Sequence, residues 1–290
     1  MPEVEWLITE KCNFRCSYCG CANGPHTPSE IVGDVLRYIG EVFGATRLNL
    51  CGGEPLVSPD IKQVARYCRE HRIYLSMDSN ISLPIKRILD ILQEGDSYFD
   101  YVHTTLHPEF HDFDGFCSKV RAIRETGRKV DVRLIALHDR WDAVLAEYAR
   151  LQDAGMNPRP KLEKYRRRDL SIRPPSRILP PYTEEQLAWV GAEMKLSRAQ
   201  LFEEYAYHSF KGMPCNSGAE YVYIDVKGFV YRCASGEKVR DPLGHVKTIT
   251  VPRTGPTPCP YGICPCREAQ RLDLLAPARS QRRTADQVLV

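Results

Sequence analysis

Hydrophobic and polar positions follow two grammars along this chain. From residue 4 to about 165, short apolar runs alternate with stretches of helical spacing. The runs Val4–Thr9, Arg47–Leu50, Ile73–Met77, Tyr101–Leu106, Val130–Leu137 and Pro160–Lys164 predict strands. Between them, Pro28–Phe43, Pro59–His71, Leu83–Glu94, Phe113–Thr126 and Trp141–Ala154 predict amphipathic helices. Ile31, Val35, Leu36, Ile39 and Val42 carry the helical repeat most clearly. Ser29 and Ser58 stand at or near N-caps, and Gly95, Gly127 and Gly155 sit where helices should stop. Strand–helix alternation of this kind implies an α/β fold with a parallel sheet and right-handed crossovers. Two units are missing for an eight-fold barrel, so the expectation is a partial (β/α)6 barrel. Its chemistry should lie at the C-terminal strand ends.

The pattern then breaks. Residues 165–182 are basic and proline-rich, which excludes a regular helix or a central strand. This stretch reads as a surface linker, or as a loop closing over an anionic substrate through Arg166, Arg167 or Arg168. A helix follows from Glu184 to Met194 and runs on towards Tyr205. The run Tyr221–Cys233 alternates strongly around Lys227-Gly228 and predicts a β-hairpin. The resulting organisation is a core over 1–165, a linker and helix over 166–205, a small extension over 206–270 and a frayed tail over 271–290.

Composition narrows the class. The 290 residues are 43% hydrophobic and 27% charged, with a net charge of +3. That balance is ordinary for a soluble globular protein and too weakly basic to argue for nucleic acid. No apolar run approaches the roughly 18 residues that span a membrane. The acidic start Met1-Pro-Glu-Val-Glu does not read as a secretory signal. Twelve cysteines in a chain of this length read as reduced thiols of a cytoplasmic protein rather than as disulfides.

The cysteines carry the chemistry. Cys12, Cys16 and Cys19 form a C-x3-C-x2-C triplet directly after the first strand, with Tyr18 inside it. Three thiolates on one loop can hold three irons of a [4Fe–4S] cube and leave the fourth iron open. Zinc prefers four ligands in paired units, so the triplet suits zinc poorly. A second element, Gly52-Gly53-Glu54-Pro55, follows the second strand; its glycines admit close backbone approach and its glutamate can accept from an ammonium group.

Together these two elements resemble the radical S-adenosylmethionine (SAM) enzymes. The resemblance implies a partial TIM-like barrel. It implies a cluster on Cys12, Cys16 and Cys19, whose open iron is chelated by the cofactor's amine and carboxylate. One-electron cleavage of the cofactor then yields a 5′-deoxyadenosyl radical that removes a hydrogen atom from the substrate. It further implies that Tyr18, Gly52, Gly53, Glu54 and Pro55 bind the cofactor. Ser79, Asn80, Thr105 and Arg133, at or near later strand ends, are further cofactor candidates; each could equally be a strand-end polar group satisfied by backbone.

The C-terminal cysteines resemble the family's short "twitch" extension, which holds one auxiliary [4Fe–4S] cluster. Cys215 and Cys233 fit its opening pair, and Cys264 with Cys266 fit the usual close second pair. A zinc knuckle is the competing explanation. Cys259 is then left as a thiol beside a cluster, a candidate hydrogen donor. Cys21 and Cys51 are rival donors, while Cys68 and Cys117 fall inside helices and read as small hydrophobes. His103, His107, Glu109, His111, Asp112 and Asp114 crowd the fourth strand's end. Of these, His107, Glu109 and Asp112, with Glu163, are the substrate candidates.

The expectation is an enzyme with two [4Fe–4S] clusters and SAM, reduced by a flavodoxin or ferredoxin. It would epimerise a carbinol carbon of an aminoglycoside- or aminocyclitol-like small molecule, with the Cys259 thiol returning hydrogen. The known twitch-type relatives include an epimerase and a dehydrogenase of this substrate class. Dehydrogenation is one alternative and modification of a ribosomally made peptide another. Eleven residues precede Cys12, too few for a leader-binding domain, which weighs against the peptide. A non-catalytic nucleic-acid-binding protein would have no need of the Gly52–Pro55 element.

Overall fold

The computed structural model describes residues 2–19, 23–163, 182–205, 210–248, 255–262, 264 and 274–275. Arg166–Arg168, Cys21 and Cys266 lie outside them. Contacts divide the chain into two compact units. One is built from Met1–Leu7, Thr27–Leu48 and Tyr207–Val290, the other from Ile8–His26 and Asn49–Ala206.

Strands and helices alternate as the pattern predicts. β1 (Glu3–Thr9), α1 (Ser29–Arg37, continued by a π-helical turn over Tyr38–Val42), β2 (Arg47–Gly52), α2 (Ile61–Glu70), β3 (Tyr74–Ser79) and α3 (Ile85–Gly95) come first. Then follow β4 (Phe99–Leu106), α4 (Phe113–Glu125), β5 (Lys129–Ala136), α5 (Trp141–Asp153) and β6 (Arg159–Leu162). The caps differ from expectation. Pro28 and Asp60 occupy the N-cap positions of α1 and α2 without side-chain cap bonds. Gly127 and Gly155 end their helices with φ of 85° and 73°. Gly95 is still helical, and Asp96 takes the positive φ instead.

In the second unit the sheet order is β2-β3-β4-β5-β6, with β3 to β6 parallel, and it ends on β6 without closing. This is an open, partial barrel. β4 sets its two faces. Val102, Thr104 and Leu106 are buried against helices, while Tyr101, His103 and Thr105 are half-buried on the opposite face. A register shift beside Asp100 lets Phe99 and Val102 share the buried side. Cys68 and Cys117 pack inside α2 and α4, as their positions predict. α6 (Glu184–Glu193) opens on a capping box from Thr183 and Gln186, and α7 (Arg198–Tyr205) follows. Lys195, at φ 53°, separates the two helices that the sequence reads as one.

In the first unit the hairpin forms as read: β8 (Tyr221–Ile224) and β9 (Phe229–Tyr231) pair antiparallel around Gly228, whose φ is 83°. β8 also pairs parallel with β1, Glu3 opposite Tyr221 through Trp6 opposite Ile224. Left unpaired on that side, β1 would present free N–H and C=O groups, and the hairpin covers them. α8 (Ala234–Lys238) and β10 (Pro242–His245) follow, the latter pairing with β9. β7 (Pro214–Cys215) and β11 (Thr257–Pro258) make a separate two-stranded ladder.

Candidate active site

The triplet loop leaves β1 and is held by backbone at once. Gly53 N–H donates to Thr9 O at 2.9 Å, and Glu54 N–H to Lys11 O at 2.9 Å. A Cβ on Gly53 would meet Lys11 O at 2.2 Å and Lys11 C at 2.5 Å. The chain's own cysteine loop is therefore one close approach that requires this glycine. Gly52 takes a φ of 143°, which also favours glycine.

Glu54 is wholly buried. Its Oε1 accepts from Ser79 Oγ at 2.7 Å and Leu56 N at 3.0 Å, and its Oε2 from Asn80 N at 2.5 Å. A carboxylate offers about four acceptor positions, so one on Oε2 remains for an ammonium donor. Burial pushes the Glu54 carboxyl up to about 7 despite those three bonds. An ammonium group arriving there would supply the missing counter-charge. Ser79 and Asn80, expected to touch the cofactor, thus first organise Glu54. The Asn80 side chain also donates to Asn13 Oδ1 at 3.1 Å and approaches Cys12 Sγ at 3.8 Å.

The loop after β4 grips the triplet at several points. Glu109 accepts from Ser17 N at 2.8 Å and Ser17 Oγ at 2.5 Å, and Arg140 lies 3.5 Å from the same carboxylate. Burial opposes its charge, but the Ser17 bonds hold its pKa below the usual range. His107 Nδ1 lies 2.6 Å from Tyr18 Oη and 3.3 Å from Cys16 Sγ. Phe14 stacks on Phe110 with centroids 4.9 Å apart. His111 Nδ1 accepts from His107 N at 2.8 Å, so its Nε2 carries the hydrogen that is donated to Asn80 O at 2.7 Å. Burial pushes His107 down to about 3 and His111 to about 4, so both imidazoles are neutral at pH 7.

The substrate candidates are thus already engaged. Glu109 pins the cysteine loop, and His107 faces Tyr18 and Cys16. Asp112 is the N-cap of α4, accepting from Gly115 N at 2.9 Å. Glu163 pairs with His138 at 3.0 Å. Arg133, expected near the cofactor, sits in a polar layer across the strands. It donates to Asp131 at 2.7 Å and Asp78 at 3.3 Å, and lies 2.7 Å from His103 Nδ1. Asn49 extends the layer by donating to Asp78 at 3.2 Å. Burial pushes Asp131 up, but His103 and Arg133 outweigh it and hold the carboxyl at about 2. Thr105 faces the same side, opposite Arg133 in register. Sequence reasoning passed over Ser17, Phe14 and Arg140, which carry no motif; alternation of β3 and β5 could have placed Asp78 beside Arg133.

The donor set fits an iron–sulfur cube. Cys12 Sγ accepts from Phe14 N–H at 3.4 Å, the bond a cluster thiolate uses. Burial raises the Cys12 thiol and takes Cys16 to about 11, whereas an iron ligand is deprotonated by its metal. Among the described residues no three His, Cys, Asp or Glu side chains converge on a single metal ion. A cube makes no such demand, because each thiolate binds its own iron.

In the first unit Cys215, Cys233, Cys264 and the partly buried Cys259 share one packed cluster with Phe210, Tyr221, Tyr261, Leu274 and Leu275. The β7–β11 ladder sets this, placing Thr257 opposite Cys215, and Cys259 N donates to Met213 O at 2.9 Å. Cys259, set apart as a free thiol from sequence, packs against the cluster that holds these three. Two hydroxyls, Ser235 Oγ and Thr257 Oγ1, are buried without partners, each two residues from one of the cysteines. Four thiols with orphaned donors beside them fit a second cube.

A loop of three thiols follows a barrel strand and is backed by a buried glutamate. Residues 6–143 match the model of the Radical SAM superfamily. It is 29% identical over 137 residues to an AdoMet-dependent heme synthase of Methanosarcina barkeri, covering 44% of this chain and 39% of that one. It is 32% identical over 106 residues to a probable GTP 3′,8-cyclase of Thermococcus kodakarensis, covering 34% and 33%. The chain spans two fifths or less of these curated relatives. Among solved structures it resembles native anSMEcpe with bound AdoMet (TM-score 0.59, 13% identity, 86% of this chain and 79% of that one). It also resembles Streptococcus suis SuiB bound to precursor peptide SuiA (TM-score 0.56, 14% identity, 86% and 63%). At such identities the likeness is one of fold. Among the described residues no helix is long and apolar enough to cross a membrane.

Proposed function

We propose that this protein is a radical SAM oxidoreductase with two [4Fe–4S] clusters. Cys12, Cys16 and Cys19 hold the first, and Cys215, Cys233, Cys259 and Cys264 the second. The first cluster and SAM supply the one-electron cleavage that makes hydrogen abstraction possible. Glu54 Oε2 takes the cofactor's ammonium group, and Ser79 and Asn80 hold that carboxylate in place. The second cluster would supply a one-electron acceptor, so that a substrate carbinol that has given up a hydrogen atom from carbon could be oxidised to a ketone, its hydroxyl proton passing to solvent. A flavodoxin or ferredoxin supplies the electron that starts each turnover.

The observation that carries this reading is the packing of Cys259 with three other cysteines. A thiol spent on a cluster cannot return hydrogen to the substrate. This favours oxidation over the epimerisation that a free Cys259 would support. The substrate class is a small molecule rich in hydroxyl or amine groups, because Asn49, Asp78, His103 and Arg133 line one face of the parallel strands. The fold likeness to peptide-bound structures gives the peptide alternative no more than a shared scaffold.

The test is iron and sulfide content after anaerobic reconstitution of the wild type and of Cys259→Ala and Cys266→Ala, followed by product mass in heavy water. The proposal expects Cys259→Ala to lose one cluster's iron, Cys266→Ala to keep it, and an aminocyclitol product two hydrogens lighter. A Cys259→Ala variant with full iron, or a product of unchanged connectivity carrying one solvent deuterium on carbon, returns the epimerase reading. Cys51, half-buried in β2, is then a donor candidate.

A further inference from the structure

Arg232 lies directly before Cys233 and is 3% exposed. Its guanidinium donates to Pro258 O at 3.0 Å, Cys215 O at 2.9 Å and Thr257 O at 2.6 Å. Those acceptors belong to, or flank, Cys215 and Cys259, so one side chain touches the backbone around three of the four thiols. All three acceptors are neutral carbonyls. Asp241, the carboxylate that shares a cavity with Arg232, is exposed and accepts from Tyr261 Oη at 3.0 Å. Among the described residues no carboxylate lies within 4.0 Å of Arg232 to form an ion pair with it. Carbonyl dipoles solvate a buried cation in part but do not neutralise it, and a buried charge without a counter-charge is costly. A chain keeps such a group where a negative charge is to come.

We propose that Arg232 is the built-in counter-charge of the second cluster and sets its potential as an electron acceptor. This rests on the four-thiol cluster proposed above. A cube held by four thiolates is dianionic when oxidised and trianionic when reduced. A fixed cation attracts the reduced form more strongly, so Arg232 raises the reduction potential. That is the direction an acceptor of substrate electrons needs. Arginine suits the position because it keeps its charge when buried and its planar fork reaches several carbonyls at once.

The experiment is a redox titration of the reconstituted full chain, following the second cluster by electron paramagnetic resonance, in wild type, Arg232→Lys and Arg232→Gln. Iron is counted in each. Both variants disturb the carbonyl bonds; only Gln removes the charge. The expected result is a Lys potential near wild type. The Gln potential should be lower, with at least a tenfold smaller reduced-to-oxidised ratio at fixed potential, or 59 mV for one electron. A Gln variant that fails to load the second cluster while Lys loads it also supports the proposal. Equal shifts in both variants, no shift in either, or failure of Lys to load overturns it. A wild type with iron for one cluster only sinks the two-cluster reading itself, a distinct outcome.

Discussion

Gly53→Ala is the sharpest test of how the cysteine loop is held. The added Cβ would meet Lys11 O at 2.2 Å, and ordinary contact begins at 3.4 Å, so the loop backbone must retreat by about 1.2 Å. That carbonyl is main chain and cannot swing aside as a flexible side chain could. Overpacking of this kind costs roughly 1–3 kcal/mol. The retreat also stretches the bonds from Gly53 N to Thr9 O and from Glu54 N to Lys11 O, at about 1 kcal/mol each. The sum is about 3–5 kcal/mol, which lowers Tm by on the order of 10 °C in a chain of this size. Cys12 N would lie 2.9 Å from the same Cβ, so the shift reaches the first cysteine. Thermal melting before reconstitution and iron content afterwards check both consequences. A Gly53→Ala protein that melts within about 2 °C of wild type and takes up full iron at the triplet refutes the account.

Two further outcomes follow from the site. Glu54, with its carboxyl near 7 when folded and near 4.5 when unfolded, keeps a proton in the fold that the unfolded chain releases. Stability without cofactor should therefore be greatest below pH 4.5 as far as this group is concerned, and should fall as pH rises to 7, by about 3 kcal/mol in total; urea titrations against pH read this slope, and Glu54→Gln should abolish it. Asp112→Ala should cost about 1 kcal/mol as a lost helix cap with iron uptake unchanged, whereas Glu109→Ala should free the cysteine loop, speeding tryptic cleavage after Arg15 and iron loss to a chelator. Equal iron loss from both variants would contradict the separate roles assigned to them.

The strands and helices were legible because each apolar run is long enough, and its periodicity clean enough, to settle element type without tertiary help. Strand pairing β3 through β6 followed from the alternation alone. The pairing of β8 with β1 did not, because nothing local says which edge a hairpin will cover. The triplet and Glu54 were legible as chemistry because their meaning lies in short spacing. Glu109, Asp112 and Glu163 were read as substrate candidates, and their protein partners were not legible. A loop carboxylate's direction depends on backbone turns that no repeat encodes, so an acid at a barrel mouth reads alike whether it caps a helix or meets a ligand. The packing of Cys259 against the other three cysteines was not legible for a related reason. Its companions are set by the ladder between β7 and β11, a contact across some 40 residues, whereas spacing favoured the close pair Cys264 and Cys266.

The stretch from His107 to His111 has a consequence for anyone wishing to redesign this protein. In barrels of this kind the loops beyond the strands are the usual place to exchange residues when a new specificity is wanted. Here that loop is already committed: four of its five side chains brace the chain's own cysteines or the end of β3. Randomising it would scatter metallation failures through a library before any change of substrate could be read. Variation is better directed at the strand positions around Asp78 and Arg133, where a side chain can be exchanged without loosening the triplet.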